Sequence, residues 1–345
     1  MACLYPNKGY VIGTWPDSGK PKYFIASRES AYIENVNGHW YARPAGSAPR
    51  SGKIITQSIL LPCGKCINCR LKQSRDWANR MICEAKYHDE NYFITLTYDD
   101  DHIEHLKRYV VDEETGEALP VLSLCKKDAQ DWQKRLRYFH ADRGKLRFYT
   151  AGEYGSQTHR PHLHAIVFGL HLDDLEPLKK SHLGHQYYTS KFIEQSWPNG
   201  YVLVAPITWE TCAYTARYVT KKLDGEYKDF YSIFGIEPEF SLKSLKPALG
   251  GQYYEDHKDE IYATDELILS TEKGGKVERP PQYYDRKYDA ENPEVMAEIK
   301  QRRKKSVEMM EALKQAQTTL SPEEQLESLR QLMKKRLAML KRPDF

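Results

Sequence analysis

The sequence predicts an α+β fold: a central, mostly antiparallel sheet flanked by helices, with a small cysteine-bearing N-terminal segment and a helical C-terminal region. Three observations predict it. Short β-branched and aromatic runs are interleaved with segments of helical periodicity. The strand-like runs are joined by brief polar or Gly-rich stretches that suit hairpins. The composition is that of a globular chain with polar extensions: 345 residues, 40% hydrophobic and 29% charged.

Taken in order, residues 1–62 are rich in Gly, Pro and Ser, with apolar runs such as Ile54-Ile55 and Ile59-Leu60-Leu61, which read as loops and short strands. Residues 73–88 place Trp77, Met81, Ile82 and Ala85 at helical spacing. Asn91 to Tyr98, NYFITLTY, is a strand by its β-branched and aromatic content. Residues 99–120 are charged, with Asp112 to Gly116 as a turn tip. Asp128 to Phe139 is a helix with Trp132, Leu136 and Phe139 on one face. Lys145 to Thr150 and His162 to Leu170 are two strands joined by a Gly/Ser/Thr-rich loop. Phe192 to Trp197 is a short helix ending at Pro198-Asn199-Gly200, and Gly200 to Pro206 is a strand. Thr208 to Leu223 is a helix, with Thr208 as its cap and Glu210 in its first turn.

The C-terminal third differs. Residues 252–290 are rich in Tyr and acid, and residues 297–345 hold 12 Lys/Arg against 7 Asp/Glu, a surplus of five. Ser321-Pro322-Glu323-Glu324 is a helix start. Leu326, Leu329, Met333, Leu337 and Leu340 then form an apolar stripe, suited to packing on the body or on a partner. Lys300 to Lys305 is a candidate DNA-facing arm. The expected divisions are 1–72, 73–225 and 226–345, the last helical at its end and open to partial disorder.

Composition excludes several classes. A net charge of +3 does not announce a nucleic-acid binder. No window approaches the twenty apolar residues of a membrane span, and MACLYPNKGYVIG lacks a signal-peptide pattern, so a cytoplasmic chain with no membrane partner is expected. Seven cysteines then read as thiols or metal ligands rather than disulfides. The odd count is tyrosine, 25 residues, which suits binding, stacking or phenol chemistry.

Three constellations carry chemistry. In RPHLHAIVFG, His162 and His164 share one face of a strand, a natural metal pair, although two polar residues on a wet face would look the same. Glu153, nine residues before His162 in AGEYG, where the preceding strand ends, can complete a ligand set that leaves open positions on a divalent ion. Tyr214 and Tyr218 lie four apart on a helix, with Arg217, Lys221 and Lys222 beside them. A phenol has a pKa near 10, so it becomes a nucleophile only where a metal polarises the target and cations favour the phenolate. The bland alternative is tyrosine at a core boundary. Cys63-Gly-Lys-Cys66-Ile-Asn-Cys69 has the spacing of a tetrahedral zinc site that lacks one ligand, with Cys83 or a nearby His among the candidates. Cys125 and Cys212 fall in helical patterns and read as core. An iron oxygenase using the same three ligands, or a zinc-stabilised DNA-binding module, remains open at this point.

In this order, FITLTY, HLH and YTARYVTK resemble the three motifs of the HUH endonucleases, the rolling-circle replication initiators. MACLYP, PCGKCINCR, FITLTYDD, GEYG with RPHLHAIVFG, ARYVTKK and EPEFSLKSLKPALGGQYYEDH together look like the replication initiators of gokushovirus-type microviruses. The resemblance covers roughly residues 1–260. It implies an HUH-like nuclease fold that cuts and rejoins single-stranded DNA with Mg²⁺ or Mn²⁺ at His162, His164 and Glu153. Tyr218 would attack the scissile phosphate, leaving a 5′-phosphotyrosine link and a free 3′-OH, and Tyr214 would serve the second transfer. Adjacent Lys221 and Lys222 depart from a single lysine, so either could meet the phosphate. Thr95, Thr97, Arg160 and Arg217 would contact DNA, and Cys3 would be the fourth zinc ligand. Origin DNA, a host helicase and a host DNA polymerase are the implied partners, in the cytoplasm of a bacterial host. No GxxxxGKS loop is present, so unwinding would come from a separate protein.

Overall fold

The computed structural model describes residues 3–339, apart from residues 18, 51, 112–113, 156–157, 181–183, 219–228 and 272–273. Six strands come first: β1 (Asn7–Thr14), β2 (Pro21–Ala26), β3 (Ser30–Val36), β4 (His39–Pro44), β5 (Ile54–Ile55) and β6 (Ile59–Leu61). Then follow α1 (Ile67–Ala85), β7 (Asn91–Tyr98), β8 (Lys107–Val111), β9 (Ala118–Leu122), α2 (Lys126–Phe139), β10 (Arg147–Tyr154) and β11 (Pro161–Phe168). After them come β12 (Leu175–Lys180), β13 (Gln186–Ser190), α3 (Lys191–Ser196), β14 (Gly200–Pro206), α4 (Trp209–Tyr218), α5 (Phe230–Ile233), β15 (Phe240–Lys243) and α6 (Gly251–Thr264). The chain closes with β16 (Leu267–Thr271), β17 (Gly274–Glu278), α7 (Gln282–Glu291), α8 (Pro293–Ala316) and α9 (Pro322–Met339). Two compact units result: Met1–Lys72 with Thr319–Arg342, and Gln73–Thr318.

The second unit is built on a seven-stranded sheet in the order β12-β13-β14-β7-β11-β10-β15. Every neighbouring pair is antiparallel, which bears out the predicted α+β class. Alternation along the central strands sorts side chains between two faces. Ile94, Leu96 and Tyr98 of β7 and Leu163, Ala165 and Val167 of β11 pack with Trp132 and Leu136 of α2 and Ile193 of α3. Trp132 is fully buried, and its Nε1–H donates to Ser196 Oγ at 3.0 Å. Its truncation to Ala would cost about 3–5 kcal/mol. On the opposite face, Phe93, Tyr149, Ile166 and Phe168 meet Ala78 and Met81 of α1 and Cys212, Ala213 and Ala216 of α4.

A third core absorbs much of the tyrosine. Tyr253, Tyr254 and Tyr262 of α6 and Tyr284 and Tyr288 of α7 are buried with Ile261, Leu267, Leu269, Met296 and Ile299. Their hydroxyls reach partners as burial demands: Tyr284 donates to Gly250 O (2.7 Å), Tyr262 to Asp285 (3.0 Å) and Tyr254 to Glu291 (3.0 Å). Arg303 of α8 is forked onto Asp265 and Asp285, and Lys300 pairs with Asp289 at 2.7 Å. Within the candidate basic arm, these two cations are therefore paired with acids of the same chain.

The first unit holds two three-stranded sheets, β2-β1-β6 and β4-β3-β5. Its cores are small: Tyr10, Ala26 and Ile33 in one, and Leu4, Cys66 and Met333 in the other. Leu329 joins Met333, so part of the expected stripe on α9 does pack. The Ser321 cap is formed reciprocally, with Ser321 N–H on Glu324 Oε2 (2.7 Å) and Glu324 N–H on Ser321 Oγ (3.3 Å). Leu340 lies outside the described residues.

Several elements differ from expectation. The first helix starts at Ile67 rather than at residue 73, so Cys69 lies in its first turn. Within the charged segment 99–120 and just past it, the apolar runs KRYVV and ALPVL pair as the β8-β9 hairpin; Asp112 lies outside the described residues. Strand β10 continues through Glu153 to Tyr154, because pairing with β11 carries the ladder past the Gly152 position. No helix of the described residues is long and apolar enough to cross a membrane.

Candidate functional site

On β10 and β11 the register sets Glu153 directly opposite His162 and Ala151 opposite His164. Both histidines and the carboxylate therefore rise from the α4-covered face. Glu153 Oε1 lies 2.5 Å from His162 Nε2 and 3.1 Å from His164 Nε2. The three donor atoms all lie within 4.8 Å of one another. Glu153 and His164 are buried, and His162 is half-buried.

The second ring nitrogens are also engaged. His162 Nδ1 meets the Arg160 carbonyl at 3.2 Å, an acceptor suited to an Nδ1–H. His164 Nδ1 meets Thr95 Oγ1 at 3.0 Å, and its ring stacks on Phe93 with centroids 5.5 Å apart. Outer contacts of this kind fix imidazole orientation at metal sites. Burial pushes the Glu153 carboxyl up, but the two imidazoles outweigh burial and hold it down at about 2. Two oriented imidazoles and one ionised carboxylate fit a divalent ion with open positions.

Helix α4 packs on β10 and β11. Thr208 caps it through Thr211 N–H at 3.1 Å, and Glu210 sits in the first turn, as expected. Tyr214 is half-buried, and its ring stands edge-on to His164 with centroids 5.3 Å apart. Tyr218 is the last residue of α4, one helical turn beyond Tyr214. Lys221 and Lys222 lie outside the described residues. Arg217 is exposed in the last turn of α4.

The residues expected to touch DNA divide. Thr97 is half-buried on the His162 row. Thr95 is buried, with its hydroxyl 3.0 Å from His164 Nδ1. Arg160 donates twice to Tyr98 O (3.2 and 2.8 Å) and pairs with Asp100 at 2.7 Å, which ties the loop before β11 to the end of β7. Sequence reading missed the contacts of Thr95 and Phe93 with His164. Their period-two spacing with Thr97 marks the shared face, but register alone decides what stands across from them.

The cysteines form a separate group in the first unit. Cys3 precedes β1, Cys63 follows β6, Cys66 precedes α1 and Cys69 lies in its first turn. Their four sulfurs all lie within 4.8 Å of one another. Cys3 Sγ is 3.5 Å from Cys63 Sγ and 3.8 Å from Cys66 Sγ. A tetrahedral ion with S ligands at about 2.3 Å separates them by about 3.8 Å, whereas a disulfide needs about 2.05 Å. Gly64 holds φ +74 in the tight turn between Cys63 and Cys66, a conformation that favours glycine. Backbone amides point at the sulfurs: Cys66 N–H to Cys63 Sγ (3.2 Å), Cys63 N–H to Cys3 Sγ (3.3 Å) and Leu4 N–H to Cys66 Sγ (3.4 Å). Burial pushes the Cys66 thiol up, but the backbone N–H groups of Cys69 and Leu4 and its cysteine neighbours bring it down to about 7. The rival Cys83 is buried in the tyrosine-rich core instead. Cys212 is buried as expected, whereas Cys125 is half-buried at the cap position before α2.

The chain is similar to known proteins over much of its length. The family model for replication-associated proteins of the ORF2 type matches residues 91–223, which span β7 through α4. The chain is 35% identical over 241 residues to "Replication-associated protein ORF2" of Spiroplasma virus 4, covering 69% of this chain and 70% of that protein. It is 31% identical over 274 residues to "Replication-associated protein VP4" of Bdellovibrio phage phiMH2K, covering 76% and 81%. It is 33% identical over 227 residues to "Replication-associated protein ORF4" of Chlamydia phage 1, covering 62% and 50%. No solved structure matches the chain.

Proposed function

The chain belongs to the family of phage replication-associated proteins, and from that premise we propose that it initiates rolling-circle replication as an HUH-type nicking and joining enzyme. The observation that carries this reading is the edge-on contact of Tyr214 with His164, which brings a two-tyrosine helix against a convergent His/His/Glu group. A divalent ion, Mg²⁺ or Mn²⁺, held by His162, His164 and Glu153 would polarise the scissile phosphate.

The chain's own residues do the rest. The Tyr218 phenolate oxygen forms a bond to phosphorus, and the bond from phosphorus to the 3′ oxygen breaks. The 5′ phosphate stays on Tyr218, and the leaving oxygen takes a proton and becomes the 3′-OH primer. Tyr214 then repeats the attack on the next strand passage, and the free 3′-OH reverses the link and rejoins DNA. Lys221 or Lys222, and Arg217, favour the phenolate and meet the phosphate. Zn²⁺ on Cys3, Cys63, Cys66 and Cys69 holds the first unit together. The place of action is the cytoplasm of the bacterial host, on viral single-stranded origin DNA, with a host helicase and DNA polymerase.

Purified protein mixed with Mn²⁺ and single-stranded viral oligonucleotides gives a covalent adduct on a denaturing gel. Tyr218→Phe removes the adduct of the first cut, and changing both tyrosines removes every adduct. Intact DNA across oligonucleotides tiling the whole viral strand overturns the reading, and turnover by the double variant would favour oxygenase or other metal chemistry.

A further inference from the structure

The cross-strand row that holds the ligands does not stop at them. Glu153 pairs with His162, His162 with Thr97, and Thr97 with Tyr201. Directly opposed residues share a face, so these four side chains on β10, β11, β7 and β14 rise together. Leu203, two residues beyond Tyr201, packs among the residues under α4, which sets the same face independently. Exposure climbs along the row, from Glu153 at 3% to Tyr201 at 70%. The next residue, Val202, faces the other way and is buried.

An exposed aromatic is ordinary on its own. This one is held by sheet register two strands from His162, about 10 Å across the sheet. That span is about three base rises of a stacked strand. At the end of β7, Asp100 is paired with Arg160 at 2.7 Å, and Asp99 lies 2.7 Å from His102 Nδ1. The row thus reads, in order, metal ligands, a hydroxyl and an open ring.

We propose that Tyr201 is a base-stacking site: its ring carries one nucleobase of single-stranded DNA beside the cleaved phosphate and so sets where along the strand the cut falls. This rests on the nicking reaction proposed above. Every base has a π face, so the ring would accept any base, while a paired duplex would not offer one. Tyr201 touches the substrate but no reacting atom.

The test uses the full chain and viral-strand oligonucleotides carrying 2-aminopurine at one position at a time, without added divalent ion. Wild-type protein quenches the probe at one or two adjacent positions. Tyr201→Ala abolishes that quenching and weakens binding about tenfold, whereas Tyr201→Phe keeps both, because stacking needs the ring and not the hydroxyl. With Mn²⁺ and saturating oligonucleotide, Tyr201→Ala spreads the adduct over several positions. Unchanged quenching in Tyr201→Ala, loss of it in Tyr201→Phe, or no quenching by the wild type overturns the assignment. A wild-type protein that quenches but forms no adduct strikes the nicking reaction and leaves the stacking site.

Discussion

Glu153, His162 and His164 stand on neighbouring strands inside a seven-stranded sheet, whereas Cys3, Cys63, Cys66 and Cys69 gather from loops and the first turn of a helix. The first group is backed by two extensive cores, so the ladder and the packing on either face position its three side chains. The second sits over three buried side chains, Leu4, Cys66 and Met333. A core that small offsets little of the entropy of ordering its loops, so an ion on the four cysteines, as proposed above, would contribute folding energy directly. On the proposed reading, metal-ligand chemistry would serve catalysis on a rigid scaffold and architecture on a weak one.

The largest expected effect separates the two. Structural zinc contributes about 10 kcal/mol or more in small domains, comparable to the whole stability of a fold. Stripping the ion with a chelator, or Cys66→Ser, abolishes hydrogen-exchange protection in β3 while β7 and β11 keep theirs. Protection in β3 that survives chelation breaks the comparison.

The converse effect is catalytic. Outer-shell changes at metal sites cost about 10–100-fold, so replacing a ligand costs at least ~100-fold. Glu153→Gln keeps the volume, loses adduct formation by that factor, and leaves β7 protected from exchange. A variant that unfolds the sheet instead would make the triad architectural after all.

The smallest effect is a difference in acid sensitivity. Binding an ion on the four cysteines would require thiolates, so protons would compete with it as pH falls. In the second unit, burial pushes the Glu84 carboxyl up. Hydrogen bonds to His88 (3.1 Å) and from Gly250 N–H (2.7 Å), with Arg147 alongside, outweigh that and bring it below 4.5. A folded value below the unfolded one means that the contribution is complete above about 4.5 and is lost as pH falls through the lower folded value. Exchange protection in β3 therefore fails at a higher pH than protection in β7. Coincident loss of the two contradicts the distinction.

Much of this was legible locally. Alternation in NYFITLTY and RPHLHAIVF sorts side chains between faces, so His162 and His164 were a pair before any fold was known. Four-residue spacing on a helix did the same for Tyr214 and Tyr218, and CGKCINC for three thiols. The Tyr-rich segment 252–290 was opaque, because a buried tyrosine and a binding tyrosine carry the same letter until the hydroxyl's partner is seen.

Periodicity along one element is a property of neighbouring residues, and the sequence by itself determined it: the α+β class, the His pair, the Tyr pair and the cysteine knuckle. Only the tertiary structure decided that Glu153 faces His162, that Thr95 holds His164, that Tyr201 ends the same row and that Cys3 closes a cluster 60 residues away. Each of these depends on register between strands or on the meeting of distant loops. Those are settled by burying whole faces at once, an energy to which no short stretch of residues contributes alone.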